Sequence, residues 1–316
     1  MFAAMSAPAV ALLAGLVAGP AVDDTAPIVC DPCEGWNQPQ EPFRLFGNAH
    51  YVGVKGLSAV LITTPKGSIL IDGGLPQSVP LIRRNIEKVG GKLADVKWIL
   101  ISHAHFDHVG GVAALVRESG ARVGATPHAA VVLRAGMVGK DDPQWGFGDG
   151  MRFPPIRKVV ELRGRTRIRL GGVTLTKHEM PGHTPGGTTW TWQSCEGDRC
   201  ANIVYADSLN AVAAPGFRFL DDPRRVKRFR QTIERVRKLP CDILVPAHPH
   251  LANLLEKQAA RTPDAQSDPL FDPQACRSYA DAAEARLEKR LAEERAEERA
   301  EAAPKAAAAA PATKNP

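Results

Sequence analysis

Short apolar runs separated by turn residues occur in two parts of the chain, residues 43–73 and 158–206. The first part contains FRLF, HYVGV, SAVLITT and SILIDGG, and the second contains KVVEL, TRIRL, VTLTKHE, TTWTWQ and NIVYA. Apolar runs of this length, bounded by Gly and Pro, are typical of β-strands. We therefore expect two groups of strands, the first of them antiparallel with a hairpin turn at Pro65-Lys66-Gly67.

Helical spacing follows each group of strands. Val79, Ile82, Ile86 and Val89 recur at the spacing of one helix face, and Gly90-Gly91 ends that pattern. Similar patterns predict a buried strand at VKWILIS, a strand at 122–125, and helices at 112–117, 129–134 and 224–239. Strands followed by helices, twice over, predict an α/β chain of two similar halves, stacked sheet to sheet with helices outside.

One long segment fits neither pattern. Residues 136–155 are rich in Gly and Pro and contain Trp145 and Phe147. We expect a loop here, and loops of this length in compact domains tend to be functional.

The first 21 residues carry no charge and centre on an apolar run from Val10 to Ala18. This pattern predicts a secretory signal peptide over residues 1–21 and export to the periplasm. A short membrane anchor is the alternative, but the run is too short to span a bilayer. Residues 22–42 are then an N-terminal arm.

The C-terminal part becomes rich in Ala, Glu and Arg from Gln274 onward. Tyr279, Ala283, Leu287 and Leu291 form a stripe at helical spacing, and no large apolar residue follows it. We expect a partly docked helix over residues 281–303 and a disordered tail over 304–316.

Composition limits the kind of protein. The chain has 316 residues, of which 44% are hydrophobic and 23% charged, and this excludes a wholly disordered or fibrous protein. The net charge is +6, but the basic residues are not interleaved with aromatic ones as in a base-stacking groove. A solvated basic surface is therefore expected, without a nucleic-acid partner and without a membrane anchor after processing.

Six cysteines agree with an exported protein. Cys195 and Cys200 flank a turn and predict a disulfide across a hairpin, which leaves Cys241 and Cys276 for a longer link. For Cys30 and Cys33 a local disulfide or pairing with another molecule is expected, because a zinc ribbon would need a second C-x-x-C pair.

The candidate chemistry concentrates in residues 103–108, HAHFDH, directly after a predicted strand. Three of the nine histidines lie here, beside Asp107. Imidazole nitrogen is a common zinc ligand, so His103 and His105 can bind one ion while Asp107 and His108 turn to a second. The cluster lacks cysteine, which favours a hydrolytic site with open coordination positions over a closed structural zinc.

Two further histidines follow strands and are expected to complete the ligand sets. His183 lies in MPGHTPGG and His248 lies in VPAHP, each in a loop that Pro and Gly constrain. The remaining histidines are expected to be structural or on the surface; they are His50, His128, His178 and His250.

The motifs HAHFDH, PGHTPG, YADS and the later His-Pro resemble the metallo-β-lactamase superfamily. GNAHYVG, GSILIDGG, ISHAHFDHVGG, HTPGGTTWTW, VYADSL and LPCDILVPAHP resemble its subclass B3 more closely. The resemblance implies a four-layer αββα sandwich over residues 43–280 with a site for two zinc ions at its edge. One zinc would take His103, His105 and His183, and the other Asp107, His108 and His248.

The resemblance also implies roles around the two ions. A hydroxide shared by the ions would attack the amide bond of a β-lactam, with Asp107 orienting the water. Ser208 stands where other subclasses have a cysteine ligand, and we expect Ser208 and Asn210 to bind the substrate carboxylate, with Asp207 not a ligand. Trp145, Phe147 and Phe217 either line the mouth of the site or pack within their loops.

Other functions stay open at this point. The nearest alternative is another dizinc hydrolase of the superfamily, which acts on a lactone or a glutathione thioester. A protein with a purely structural metal site, or a nucleic-acid-binding protein, is a more distant one. The resemblance implies a small-molecule β-lactam partner, penicillin, cephalosporin or carbapenem, and antibiotic resistance as the outcome. We expect a monomer, because no long exposed apolar stripe is evident.

Overall fold

The computed structural model describes residues 23–262 and 267–308, with side chains described as far as residue 301. The predicted signal peptide lies outside the described residues. The strands are β1 (Phe43–Phe46), β2 (Ala49–Tyr51), β3 (Val60–Thr64), β4 (Gly67–Ile71), β5 (Val96–Leu100), β6 (Arg122–Ala125), β7 (Val159–Glu161), β8 (Arg167–Leu170), β9 (Val173–Glu179), β10 (Thr188–Glu196), β11 (Arg199–Ala206) and β12 (Ile243–Pro246). The helices are α1 (Cys33–Trp36), α2 (Val79–Lys88), α3 (Phe106–Val109), α4 (Val112–Ser119), α5 (Pro127–Ala135), α6 (Pro223–Arg237), α7 (Leu254–Ala259) and α8 (Ala275–Ala308).

The strands form two sheets. The first has seven strands in the order β1-β2-β3-β4-β5-β6-β7, and the second has five in the order β12-β11-β10-β9-β8. β1 to β4 are antiparallel, as predicted, whereas β5, β6 and β7 continue the first sheet in parallel. In the second sheet, β12 pairs in parallel with β11. The ends of β5 and β12 lead into loops that carry predicted ligands.

Three apolar layers hold four structural layers together. Strand alternation explains the arrangement on β11, where Ile203 and Tyr205 face the other sheet while Val204 and Ala206 face α6 and α8. On the far side, α2, α4 and α5 pack on the first sheet through Ile82, Leu115 and Leu133. The predicted αββα sandwich is therefore confirmed.

Helix boundaries follow capping residues. Thr126 accepts a hydrogen bond from the Ala129 amide at the start of α5, where Pro127 is the first helical residue, and Gly136 ends the helix in the left-handed region. Asp222 caps α6 in the same way, through the Arg225 amide. The predicted helices at 112–117, 129–134 and 224–239 therefore differ from the observed ones only at their ends.

Two sequence-based expectations need correction. The sequence pattern predicts KVVEL as a strand of the second group, but β7 pairs in parallel with β6 at the edge of the first sheet. α8 begins before the predicted boundary at 281 and continues past 304 to Ala308, because Ala, Glu, Arg and Lys are strong helix formers. Residues 309–316 of the predicted tail lie outside the described residues.

The structure contains three disulfides, Cys30–Cys33, Cys195–Cys200 and Cys241–Cys276. The second links β10 to β11 across their hairpin, and the third joins the segment before β12 to α8. Among the helices of the described residues, none combines the length and apolar character needed to cross a membrane.

Candidate metal centre

The six predicted ligands lie on three segments of the chain at one edge of the sandwich. His103 and His105 follow β5, and Asp107 and His108 lie on the short helix α3. His183 lies in the loop between β9 and β10, and His248 follows β12. The fold thus brings together residues up to 145 positions apart, since strand ends meet at this edge.

Three histidines form the first set, which consists of His103, His105 and His183. The ring centroids of each pair are 4.8 Å apart, and the ring planes are strongly tilted to one another. All three side chains are buried, and each has one ring nitrogen that lies within 4.8 Å of a ring nitrogen of the other two. The first set therefore has the shape of a three-nitrogen metal site.

The second set consists of Asp107, His108 and His248. Asp107 Oδ2 lies 3.2 Å from His108 Nε2 and 3.3 Å from His248 Nε2, and the two nitrogens are 3.2 Å apart. One carboxylate oxygen and two ring nitrogens thus converge on one point. His103 adjoins this set too, with its ring centroid 4.2 Å from that of His108.

Four of the five histidines in the two sets place their other ring nitrogen within hydrogen-bond distance of a protein oxygen. Such contacts fix the tautomer and the direction of the ring in metal sites. These contacts are His103 Nδ1 to Asp207 Oδ1 (2.9 Å), His105 Nε2 to Asp142 Oδ1 (3.2 Å), His183 Nδ1 to the Asn210 carbonyl (2.8 Å) and His248 Nδ1 to the Gly56 carbonyl (3.1 Å). The fifth histidine, His108, has its Nδ1 3.6 Å from Asp72 Oδ2, beyond hydrogen-bond distance.

The nitrogens left over fit a metal ion. His103 Nε2 is buried without a hydrogen-bond partner among the described residues, which is costly unless a further group binds it. The donors in the two sets are imidazole nitrogens and one carboxylate, the ligands typical of zinc in hydrolases. A divalent cation in each set would satisfy these donors.

The electrostatics differ between the two sets. Burial, reinforced by the neighbouring imidazoles, holds the pKa of His103 well below its usual range and lowers that of His183 to about 3, so both rings are neutral, as metal ligands must be. Burial opposes the charged form of His108 too, but the Asp107 and Asp72 carboxylates raise the pKa of His108 to about 10. A cation in the second set would displace this proton.

A cavity of about 670 Å³ opens onto both sets. Of the predicted substrate-binding residues, Ser208 and Asn210 both line it, and the Ser208 hydroxyl is buried without a partner among the described residues. Phe147 lines it as well. Trp145 and Phe217 are not among the lining residues, and Phe217 instead packs edge-on against Phe219.

Comparison with known proteins agrees with this geometry. Residues 52–248 match the family profile described as the metallo-beta-lactamase superfamily. The chain belongs to the metallo-beta-lactamase superfamily. Within it, the chain is similar to the solved structure of the Rm3 metallo-beta-lactamase, with 49% identity, a TM-score of 0.81, and coverage of 84% of this chain and 99% of that one.

Two further relatives extend the comparison within the superfamily. MEM-A1, a subclass B3 metallo-beta-lactamase isolated from a soil metagenome library, is 47% identical with a TM-score of 0.79, covering 83% of this chain and 99% of that one. The expected resemblance to subclass B3 is confirmed. A hydroxyacylglutathione hydrolase of Anaeromyxobacter dehalogenans is 32% identical over 130 residues, 41% of this chain and 39% of that protein. This chain thus spans less than half the length of that curated relative.

Asp207 occupies a position beside the metallo-beta-lactamase site but not among the converging donors. Its Oδ1 contacts His103 Nδ1, the nitrogen directed away from the first set, and accepts a hydrogen bond from the Ser208 amide. Space for this carboxylate depends on Gly187, where a Cβ atom would lie 2.0 Å from Asp207 Oδ2. Asp207 thus orients a predicted ligand.

The N-terminal arm contributes a wall of the cavity that the sequence did not reveal. Trp36, at the end of α1, lies with its ring centroid 5.2 Å from that of His248. The Gly56 amide donates to the Trp36 carbonyl (2.9 Å), and a Cβ at Gly56 would lie 2.5 Å from Trp36 Cα. Glycine at position 56 is what lets the arm approach this closely.

The remaining histidines lie mostly apart from the centre. His128 pairs with Asp141 at 2.7 Å, His178 contacts the Thr191 hydroxyl at 2.8 Å, and His50 lies on β2. His250 is the exception, because it lines the cavity with its ring centroid 5.7 Å from that of His248. It is exposed and belongs to neither ligand set.

Proposed function

We propose that this chain is a zinc-dependent β-lactamase that hydrolyses the amide bond of penicillins, cephalosporins and carbapenems. The observation that carries the proposal is the shared cavity, which is lined by members of both ligand sets and by Ser208 and Asn210. Identity of 49% with the Rm3 metallo-beta-lactamase supports the same activity. We further propose two zinc ions per monomeric chain and export to the periplasm through residues 1–21, where the activity would give antibiotic resistance.

The first zinc would be held by His103, His105 and His183, and the second by Asp107, His108 and His248. Zinc bound there would lower the pKa of its bound water, which supplies a nucleophile at neutral pH, and would polarise the carbonyl group of the substrate. The chain's own part is to fix these donors, and the hydrogen bonds of four of the five outer ring nitrogens do so. Asp107, between two imidazoles, is placed to orient the attacking water.

Ser208 and Asn210 are positioned to select the substrate. Both lie on the cavity wall next to the first set, and a hydroxyl and an amide are donors that suit the carboxylate carried by β-lactams beside the ring nitrogen. The buried Ser208 hydroxyl has no partner among the described residues, so a bound carboxylate would satisfy it. These two side chains thus orient the ring toward the ligand sets.

The most direct test follows the ultraviolet absorbance of a carbapenem with purified protein, before and after treatment with a chelator. We expect turnover that the chelator removes and added zinc restores. Absence of turnover with zinc-loaded, folded protein would contradict the proposal.

Hydrolysis of a glutathione thioester is a second candidate, favoured by the similarity to a hydroxyacylglutathione hydrolase. The same preparation is assayed with a glutathione thioester and with a lactone. If either is turned over while every β-lactam is left intact, the fold and the metal centre stand but the substrate class changes.

Replacing Ser208 by alanine is expected to raise KM for a β-lactam about tenfold with a smaller change in kcat, because a hydrogen bond to a charged group contributes about 1.5–3 kcal/mol. Steady-state kinetics on a carbapenem measure this. Ser119→Ala, in the last turn of α4 and outside the cavity, is the matched control. An unchanged KM in Ser208→Ala would place the substrate carboxylate elsewhere.

A further inference from the structure

The segment that leaves β11, residues 207–210, supports two members of the first histidine set. Asp207 Oδ1 lies 2.9 Å from His103 Nδ1, and the Asn210 carbonyl lies 2.8 Å from His183 Nδ1. Ser208, between them, lines the cavity with Asn210. The position of this one segment therefore determines both the direction of two rings and the place of the two proposed substrate contacts.

Tyr279 on α8 holds that segment with a single hydroxyl group. Its Oη donates to the Asp207 carbonyl (2.9 Å) and accepts from the Leu209 amide (3.2 Å), so it bridges the backbone on either side of Ser208. Tyr279 and Leu209 are both buried, and within the described part of the chain no other group accepts from the Leu209 amide. Loss of the hydroxyl would leave two buried backbone groups without partners.

The anchor behind Tyr279 is rigid. α8 packs against α6 and the second sheet through Ala283, Leu287 and Leu291. The Cys241–Cys276 disulfide ties α8 to the segment before β12, three residues from Tyr279. A phenylalanine at position 279 would fill the same apolar space, so packing does not explain the hydroxyl of Tyr279. Its two hydrogen bonds, to residues 207 and 209, do.

A second buried tyrosine, Tyr51, supports the backbone turn that contacts a histidine of the second set. Tyr51 on β2 donates to the Val54 carbonyl (2.6 Å), with the Leu57 carbonyl at 3.3 Å. The Val54 amide donates in turn to the Leu57 carbonyl (3.0 Å), which closes a tight turn. Gly56 in this turn presents its carbonyl to His248 Nδ1 at 3.1 Å.

We propose that Tyr279 and Tyr51 are positioning residues, Tyr279 for the first ligand set and Tyr51 for the second. Each acts through a backbone segment that fixes the outer nitrogen of a histidine. The proposal rests on the metal centre of the proposed function, but not on the substrate class. It predicts that Tyr279→Phe and Tyr51→Phe, which each remove one phenolic oxygen, weaken metal binding at different sets.

The test compares Tyr279→Phe with Tyr51→Phe by titration of metal-free protein with cobalt(II). The ring N–H protons of cobalt-bound histidines give shifted proton resonances, which identify the set that fills. We expect Tyr279→Phe to weaken binding at the first set about 10–100-fold with less than about threefold change at the second, and Tyr51→Phe to show the reverse. Tyr279→Phe should also raise KM for a β-lactam, because Ser208 and Asn210 move with the segment.

A merely structural role gives a different pattern. If both variants weaken both sets equally, or if neither changes cobalt binding, the proposal is overturned. If a variant does not fold, amide hydrogen exchange of the unmodified protein still tests the proposal. The Leu209 amide should exchange as slowly as the amides of β11, and exchange at the rate of an exposed loop would overturn the role of Tyr279.

The outcome also separates this proposal from the proposed function. Cobalt titration needs no substrate, so unmodified protein that binds cobalt in both sets but leaves β-lactams intact overturns only the substrate class. Unmodified protein that takes up no cobalt overturns both proposals.

Discussion

Replacing His103 by alanine is expected to lower kcat/KM for a carbapenem about a thousandfold or more. A cation that polarises the reacting carbonyl contributes several kcal/mol, and each 1.4 kcal/mol is about a factor of ten in rate. His103 has the largest effect of the ligands because it borders both sets, with ring centroids 4.8 Å from those of His105 and His183 and 4.2 Å from that of His108. Its removal disturbs both metal positions at once.

Steady-state kinetics at saturating zinc, together with zinc content of the dialysed protein, measure this effect. His128→Ala is the matched control, since it removes a histidine that pairs with Asp141 outside both sets. Circular dichroism of the metal-free proteins establishes that both variants keep the fold. Retention of more than about a tenth of the activity in His103→Ala would remove this residue from the centre.

Much of the secondary structure could be predicted from the sequence because the patterns that specify strands and helices are local. Gly- and Pro-bounded apolar runs located most strands, and apolar residues at helical spacing placed the helices to within a few residues of the observed ends, which Thr126 and Asp222 cap in the structure. Pairing is not local. Val159–Glu161 follows the same pattern of a short apolar run between turn residues as the strands after it, and its pairing with β6 is what assigns it to the first sheet.

The candidate ligands were visible in the sequence because three histidines within six residues are rare and chemically specific. Their supports were not visible. Asp142 lies 37 residues from His105 in a segment that predicts only a loop, and Trp36 lies on a four-residue helix with no periodic signal. Such residues are single side chains brought in by tertiary packing, so no spacing rule identifies them.

His248→Ala is expected to weaken binding of the second metal at least about 100-fold and binding of the first less than about tenfold. Even mutation of a residue that only supports a ligand lowers metal affinity about 10–100-fold. The physical reason is the separation of the two sets. His248 Nε2 lies 3.3 Å from Asp107 Oδ2 and 3.2 Å from His108 Nε2. The outer nitrogens of the first set are held elsewhere, by Asp207, Asp142 and the Asn210 carbonyl, and only the His103 ring also packs against a ring of the second set, that of His108.

Stepwise zinc titration against a chromophoric chelator resolves the two affinities. His250→Ala is the control, because His250 lies two residues away on the same cavity wall but in neither set. We expect His250→Ala to leave both affinities within about threefold of the unmodified protein. Equal loss of both metals in His248→Ala would mean that the two positions fill as one unit, and the assignment of Asp107, His108 and His248 to a separate ion would then be wrong.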